Sequence, residues 1–350
     1  MHVFDYSFLK SKSISSKVLD MAAKIYGLRT MAEVRKADFP KIYTQLEEVA
    51  KIQSVKSSNE IEGIVTSDSR IRAIVSQSSE PLNHNEQEIA GYRDALNEIH
   101  LHYDVISFCE DDILDLHEIL FSMTGYEYGG RYKEIDNSIV EIDKQGNRRV
   151  RFKPTPASET RHAVEQLVLA YSDAANDSEI NQLVLIPCVI LDFLCIHPFR
   201  DGNGRMSRLL SLLLLYKNGF DAGKYVSFEE QINKYKNLYY EALRLSSIDW
   251  HENENDYMPF VENFISMLYM CYKELDKRFA VVNTGKITKS ARIEATVLNS
   301  IVPISKAEIC DILPDVSPTT VESVLGKMVK NGQVSKIGTA RNTRYLRKRH

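Results

Sequence analysis

The chain is poor in the residues that build cross-linked, fibrous or low-complexity proteins. Its 350 residues include 10 prolines, 15 glycines and one tryptophan, an ordinary globular composition that excludes a collagen-like or Pro/Gly-rich disordered chain. The five cysteines, Cys109, Cys188, Cys195, Cys271 and Cys310, are odd in number, irregularly spaced and without a C-x-x-C pair. That argues against a disulfide framework and against structural zinc, and three of them lie in apolar runs, where cysteine packs as a small hydrophobe. No apolar run reaches the ~20 residues that span a bilayer. The longest, around 183–196 and 209–216, suit buried helices. The opening MHVFDYSFLKSKSISS lacks the basic-then-apolar order of a secretory signal. A cytoplasmic protein in a reducing compartment, with no membrane partner, is the expectation.

What is present is 43% hydrophobic and 26% charged residues, enough chain for two or three domains. Apolar residues recur at three- and four-residue spacing over 15–27, 38–61, 84–103, 110–122, 158–176, 179–196, 204–218, 228–246 and 254–280, which predicts a mainly helical protein. One stretch breaks the pattern: Ser138–Ile142 and Arg149–Phe152 flank the polar residues 143–147, a β-hairpin that reads as a flap. Charge divides the chain further. Residues 286–350 hold 12 Lys/Arg against 5 Asp/Glu, whereas the remainder holds 32 against 43, so a basic C-terminal domain is expected after a linker at 281–285. The expected parts are an N-terminal helical region over 1–90, a core over 91–280 and a domain over 286–350.

The chemistry concentrates in His197-Pro198-Phe199-Arg200-Asp201-Gly202-Asn203-Gly204-Arg205-Met206-Ser207-Arg208, between two apolar helical stretches. Unpaired amides at the start of the second helix carry the positive end of its dipole, so Gly202, Asn203 and Gly204 can cradle phosphate oxygens. Arg205 and Arg208 are three apart and share a helix face, where two guanidinium forks can clamp a polyphosphate. Asp201 can hold Mg²⁺, which takes few protein carboxylates and completes its shell with phosphate and water. His197, with an unperturbed pKa near ~6.5, can accept a proton from a hydroxyl at neutral pH.

This segment resembles the Fic family signature, His-x-Phe-x-(Asp or Glu)-Gly-Asn-Gly-Arg-x-x-Arg, at every fixed position. The resemblance implies a Fic fold, mainly α with a β-hairpin flap, and transfer of AMP from ATP to a Ser, Thr or Tyr hydroxyl of a protein target. Upstream, Ser58, Glu62 and Gly63 resemble the family's inhibitory signature, (Ser or Thr)-x-x-x-Glu-(Gly or Asn), which implies that Glu62 pairs with Arg208 and blocks the γ-phosphate. Without the resemblance, Ser58 and Glu62 share a helix face that Gly63 can end, an ordinary capped helix. The resemblance also implies that the hairpin is a flap offering its edge to the target segment, with Val150, Arg151 and Phe152 on it. Tyr239 and Tyr240 resemble a pair beside the nucleotide; they pack on the base or in the core.

The C-terminal region resembles a winged helix-turn-helix fold: helices near 293–300, 306–313 and 317–331, a turn at Pro314-Asp315-Val316, then strands over 334–337 and 343–346 joined through Gly338 and Asn342. Lys327, Lys330, Arg341, Arg344, Arg347, Lys348 and Arg349 can meet phosphates; DNA or a protein remains open as partner for 286–350. Also open are a homodimer, removal of AMP with Glu62 positioning a water, a kinase or a transferase using another nucleotide, and a DNA-binding regulator whose core only senses nucleotide.

Overall fold

The computed structural model describes residues 2–142, 148–283, 288–300, 303–313, 316–338 and 343–348. The expected turn at 143–147, residues 284–285 of the linker, and Pro314, Asp315, Arg341, Asn342 and Arg349 lie outside them. The chain forms two compact units, Met1–Tyr26 with Ala50–Cys271, and Gly27–Val49 with Tyr272–His350. Among the described residues no helix is long and apolar enough to cross a membrane.

The elements in order are α1 (Ser16–Asp38), α2 (Pro40–Ile61), α3 (Asp68–Val75), α4 (His84–His102), α5 (Glu110–Phe121), β1 (Ile139–Ile142), β2 (Arg148–Phe152), α6 (Ala157–Ala175), α7 (Gln182–Ile196), α8 (Asn203–Lys217), α9 (Phe228–Lys234), α10 (Lys236–Ser246) and α11 (Met258–Asn283). They continue as α12 (Lys289–Asn299), β3 (Ile304–Ser305), α13 (Lys306–Ile312), α14 (Pro318–Lys330), β4 (Val334–Ile337) and β5 (Arg344–Arg347).

In the first unit α7 is the centre of the core. Every residue from Leu183 to Ile196 is buried, and a helix apolar on all sides is one surrounded by others; α6 and α8 pack on it, and α4 packs on α5 and α8. The one acid on α7, Asp192, accepts hydrogen bonds from Tyr6 Oη at 2.7 Å, Trp250 Nε1 at 2.7 Å and Tyr257 Oη at 2.9 Å. Three donors are what a fully buried carboxyl requires; even so, burial pushes its pKa up to about 7. The flap is an antiparallel pair, Val140 opposite Val150 and Ile139 opposite Phe152, with a register shift between Ile139 and Val140.

Two expectations fail. The single helix over 228–246 is two, separated at Tyr235 (φ −115°, ψ 31°). The break lets Asn233 Nδ2 donate to Glu60 at 3.0 Å and Lys236 Nζ donate to the Ile61 carbonyl at 2.6 Å, so both flanking residues grip the end of α2. The expected linker at 281–283 is instead the last turn of α11.

In the second unit β3, β5 and β4 form a three-stranded antiparallel sheet in that order, with Ser305 and Glu308 making a capping box at the start of α13. Periodicity does not reveal a strand as short as β3. The Arg344 guanidinium donates to Glu308 and to the Pro303 carbonyl at 2.9 Å, which commits that arginine to the fold.

Gly91 marks the closest crossing, because a Cβ there would lie 2.0 Å from the Leu120 carbonyl oxygen, whereas one at Gly27 would meet nothing within 4 Å. Gly91→Ala is expected to destabilise the protein by about 1–3 kcal/mol through forced separation of α4 and α5. Gly27→Ala is expected to be neutral or stabilising by up to about 1 kcal/mol. Denaturant midpoints check this, and equal midpoints for the two variants would refute the close crossing.

Candidate active site

The loop 197–202 joins the two central helices, and its shape is fixed at both ends. His197 closes α7 in the left-handed region (φ 53°), and Gly202 precedes α8 in the same region (φ 79°). A side chain at Gly202 would meet the Phe121 ring at 2.8 Å, so glycine is required by conformation and by space. Between them Asn203 folds the loop onto itself: its Oδ1 accepts from the Phe199 amide at 2.9 Å and its Nδ2 donates to the Phe199 carbonyl at 2.8 Å. The Asn203 side chain therefore shapes the loop, and its backbone amide remains for an anion.

Lys133, which no spacing in the sequence singles out, holds the C-terminal end of α7. Its buried ammonium donates to the Ile196 carbonyl at 3.0 Å, the His197 carbonyl at 2.9 Å and Asn137 Oδ1 at 3.0 Å. A cation here meets carbonyls that the helix leaves unpaired. Burial lowers its pKa to about 8. His117, also missed by spacing, supports the loop from α5. The Gly130 amide donates to its Nδ1 at 3.0 Å, so the proton sits on Nε2, which faces the Asp201 carbonyl at 3.1 Å; its ring stacks on Phe199 with centroids 3.7 Å apart.

His197 carries the opposite tautomer. Its Nδ1 lies 3.3 Å from the Leu194 carbonyl, which can only accept, so Nδ1 bears the hydrogen and Nε2 is a lone-pair base. Burial pushes this imidazole down to about 4, and it does the same to His117. At neutral pH both rings are uncharged.

At the start of α8 no side chain caps the helix. The Gly202 amide is taken by Asp201 Oδ1 at 2.6 Å; the next amides open the helix and lack intrahelical partners by geometry. What faces them is Glu62. A Cβ on Gly204 would lie 2.3 Å from Glu62 Oε1, so the carboxylate rests where the helix N-terminus attracts an anion. The end of α2 delivers it: the Glu62 and Gly63 amides turn back to the Asn59 and Glu60 carbonyls, and Gly63 adopts φ 81°. Arg208 Nη2 donates to Glu62 at 2.7 Å and to the Ser58 carbonyl at 3.0 Å, and its Nε donates to Ser58 Oγ at 2.8 Å. Burial raises the Glu62 pKa, but Arg208, with Arg205 and Lys236, outweighs it and holds the carboxyl below its ordinary value.

The two arginines diverge. Arg205, 1% exposed, turns to Glu88 at 2.7 Å and lies over the Phe121 ring, with Nε and Nη1 lacking a hydrogen-bond partner. Arg208 faces α2 instead. A cleft of about 300 Å³ is lined by Glu62, His197, Asp201, Gly202, Asn203 and Gly204, by Arg151 and Phe152 of the flap, and by Tyr240. Tyr239 is instead buried against Phe260, and Val150 is half exposed on the flap. Phe152 stacks on His251, whose Nε2 meets the Lys153 carbonyl, so the inner flap strand is anchored.

An uncapped helix N-terminus beside a neutral imidazole, with an internal carboxylate against it, can hold an anion and move a proton. A family model described as the Fic/DOC family matches residues 107–215. Those residues form a Fic domain. The chain is 28% identical over 222 residues to a protein named protein adenylyltransferase Fic from Nematostella vectensis, covering 61% of this chain and 45% of the relative. It is 32% identical over 80 residues to a Fido domain-containing protein from Dictyostelium discoideum, covering 23% and 52%. The chain thus spans about half the length of the curated relatives it matches. A Fic family protein structure from Desulfovibrio desulfuricans G20 superposes with a TM-score of 0.62 at 20% identity, covering 96% of this chain and 97% of that one. The mainly helical Fic fold with its small hairpin flap is therefore the fold of this chain.

Within the Fic loop, the opposite tautomers give a direct test. Histidine-selective ¹⁵N NMR is expected to show His197 as Nδ1–H and His117 as Nε2–H, both neutral from pH 7 to about 5. Both rings bind a proton less readily folded than unfolded, so between 6.5 and about 4 each lowers stability as pH falls. Titration of His197 at or above 6.5 would contradict this geometry.

Proposed function

We propose that this chain is a protein adenylyltransferase, held at rest by its own Glu62. The observation that supports it is the Glu62 carboxylate on the start of α8 beside Gly204 and paired with Arg208, an anion lodged where a nucleotide phosphate belongs. Displacing Glu62 opens the amides of Asn203, Gly204 and Arg205 to the phosphates of ATP and frees one edge of Arg208 for the γ-phosphate. A target hydroxyl then gives its proton to His197 Nε2 as its oxygen bonds to the α-phosphorus, and the bond from that phosphorus to the bridging oxygen of the β-phosphate breaks. AMP stays on the protein hydroxyl and pyrophosphate leaves. The amides and helix dipole stabilise the charge that grows on the phosphate oxygens.

Asp201 fits the one-carboxylate role expected for Mg²⁺. It is exposed beside the cradle, where phosphate oxygens and water would complete the shell. Bound there, the ion would neutralise phosphate charge. On the flap, Arg151 and Phe152 line the cleft, and the strand edge serves a target segment in extended form. For the C-terminal region, expected over 286–350, we keep the winged-helix reading; Lys327 and Lys330 are exposed on α14 as a basic face.

The test uses ATP labelled separately at the α- and γ-phosphate with Mg²⁺. Glu62→Gly should transfer α-label to itself or to lysate proteins at least about tenfold faster than the unaltered protein, since a charge-assisted bond of about 1.5–3 kcal/mol is lost from the resting state. Adding His197→Ala should cut transfer by about a hundredfold or more. Transfer of γ-label would make the protein a kinase, and no transfer by any variant with any of the four nucleoside triphosphates would remove the proposal.

A further inference from the structure

The Arg205 guanidinium has no part in the transfer proposed above, although α4 and α5 both supply it with a neighbour. It is buried, its Nη2 lies 2.7 Å from Glu88 Oε2 on α4, and it lies over the Phe121 ring at the end of α5, 5.1 Å from the ring centre. These two neighbours arrive together. Gly91, about one turn after Glu88, is where α4 crosses the carbonyl of Leu120, the residue before Phe121. A crossing that only glycine permits thus brings Glu88 and Phe121 to the same guanidinium. The edge of that ring also meets Gly202, where a Cβ would lie 2.8 Å from Phe121 Cε2. Arg205 is thereby held beside the opening turn of α8, where the unpaired amides begin.

Glu88 differs from the other acid at this site. Glu62 follows the last residue of α2 and its side chain is 32% exposed, whereas Glu88 sits inside α4 and its side chain is 10% exposed. An acid on a turn can swing away; one on the body of a helix packed against α5 and α8 stays with that helix. The second oxygen of Glu88, Oε1, lies 3.2 Å from His84 Nε2, one turn earlier on α4. Glu88 therefore offers Arg205 a single oxygen, which takes a single donor. Nε and Nη1 of the guanidinium remain buried without an acceptor among the described residues. Buried donors left unpaired are costly, charged ones most of all, and the acceptor that suits a guanidinium is an anion.

Resting on the function proposed above, we propose that Glu88 is a positioning residue that fixes Arg205 beside the β-phosphate of ATP, with the two unspent donors of the guanidinium on that group. Arg205 precedes Arg208 by about one turn of α8, so its phosphate is the one before the γ-phosphate. As the bond from the α-phosphorus to the bridging oxygen breaks, its electron pair moves onto that oxygen. The departing pyrophosphate then gains negative charge next to a cation that Glu88 keeps in place. Glu88 itself touches neither nucleotide nor target. Its charge compensates the buried guanidinium when no nucleotide is bound, and its single hydrogen bond leaves the rest of the fork for phosphate. The two arginines are thus held in different ways: Arg208 exchanges a removable acid for phosphate, whereas Arg205 keeps its acid and adds phosphate.

The experiment measures binding of Mg²⁺-ATP, Mg²⁺-ADP and AMP by calorimetry to the full chain carrying Glu62→Gly, alone and with Glu88→Gln, Arg205→Gln or both. Glu88→Gln keeps the shape of the side chain and removes its charge. It should weaken ATP and ADP alike, about five- to tenfold, and leave AMP unchanged. Arg205→Gln should weaken the same two nucleotides at least as much, and adding Glu88→Gln to it should cost nothing further, because a residue that acts through another has no effect once the other is gone. A merely structural role weakens all three ligands together, and that result overturns the proposal. So do additive losses in the double variant, unchanged affinities in Glu88→Gln, and equal affinities of the Glu62→Gly protein for ADP and AMP. Tighter nucleotide binding by Glu88→Gln overturns it as well, since Glu88 would then be a second closing acid. Should Glu88→Gln fail to fold, Glu88→Asp, which keeps the charge and shortens its reach by one methylene, is read by the same ratios. Transfer of α-label is followed separately: its absence with the ADP-to-AMP pattern intact refutes the transferase reading and spares Glu88.

Discussion

The N-terminus of α8 is buried in the centre of the fold without a side-chain cap, and most of the site can be understood as answers to that constraint. Helix-opening amides need an acceptor, and the positive end of the dipole makes an anion the best one. Here the Glu62 carboxylate, brought in by the end of α2, lies against Gly204 in the first turn. Every device that fixes the end of α2, from the left-handed Gly63 to Asn233 on Glu60 and Lys236 on the Ile61 carbonyl, sets how firmly that anion is lodged. On the proposed reading, affinity for phosphate and closure by Glu62 are one electrostatic property with two occupants.

The same logic explains why the loop before α8 is so rigidly determined. An imidazole placed at the end of one buried helix must face the start of the next, so the chain reverses within a few residues. Left-handed backbone at His197 and Gly202, the Asn203 clasp on Phe199 and the Lys133 ammonium on the last carbonyls of α7 each remove a freedom that would blur this juxtaposition. Burial then sets the protonation state. His197 stays neutral because an imidazolium would lose its hydration there, which leaves Nε2 a base across the neutral range.

Much of this was readable from residue order because it depends on local patterns. Helix periodicity, two glycines around an asparagine, and arginines three apart are features of neighbours in sequence, and the Ser58–Glu62 spacing is one helical turn. The reading weakened where distant residues decide. Equal spacing placed Arg205 and Arg208 on one clamp, yet Glu88 draws one and Ser58 with Glu62 draws the other. The run 228–246 has helical periodicity throughout, but contacts with α2 favour a break at Tyr235. Lys133 and His117 carry no sequence signal, since their roles exist only once elements far apart in the chain have packed.

Arg208 shows why such distant residues matter to a site whose chemistry looks local. A guanidinium that only had to bind phosphate could be flexible and exposed, recruited when the ligand arrives. One that alternates between an internal carboxylate and a phosphate must keep the same direction in both states, or the exchange would cost the reordering of a long side chain each time. In the proposed exchange, burying it would meet that need but leave an uncompensated charge whenever Glu62 departs. A second carboxylate in direct contact would hold the fork closed against both partners. The Ser58 hydroxyl and carbonyl instead fix the inner edge of the guanidinium without a second charge beside it.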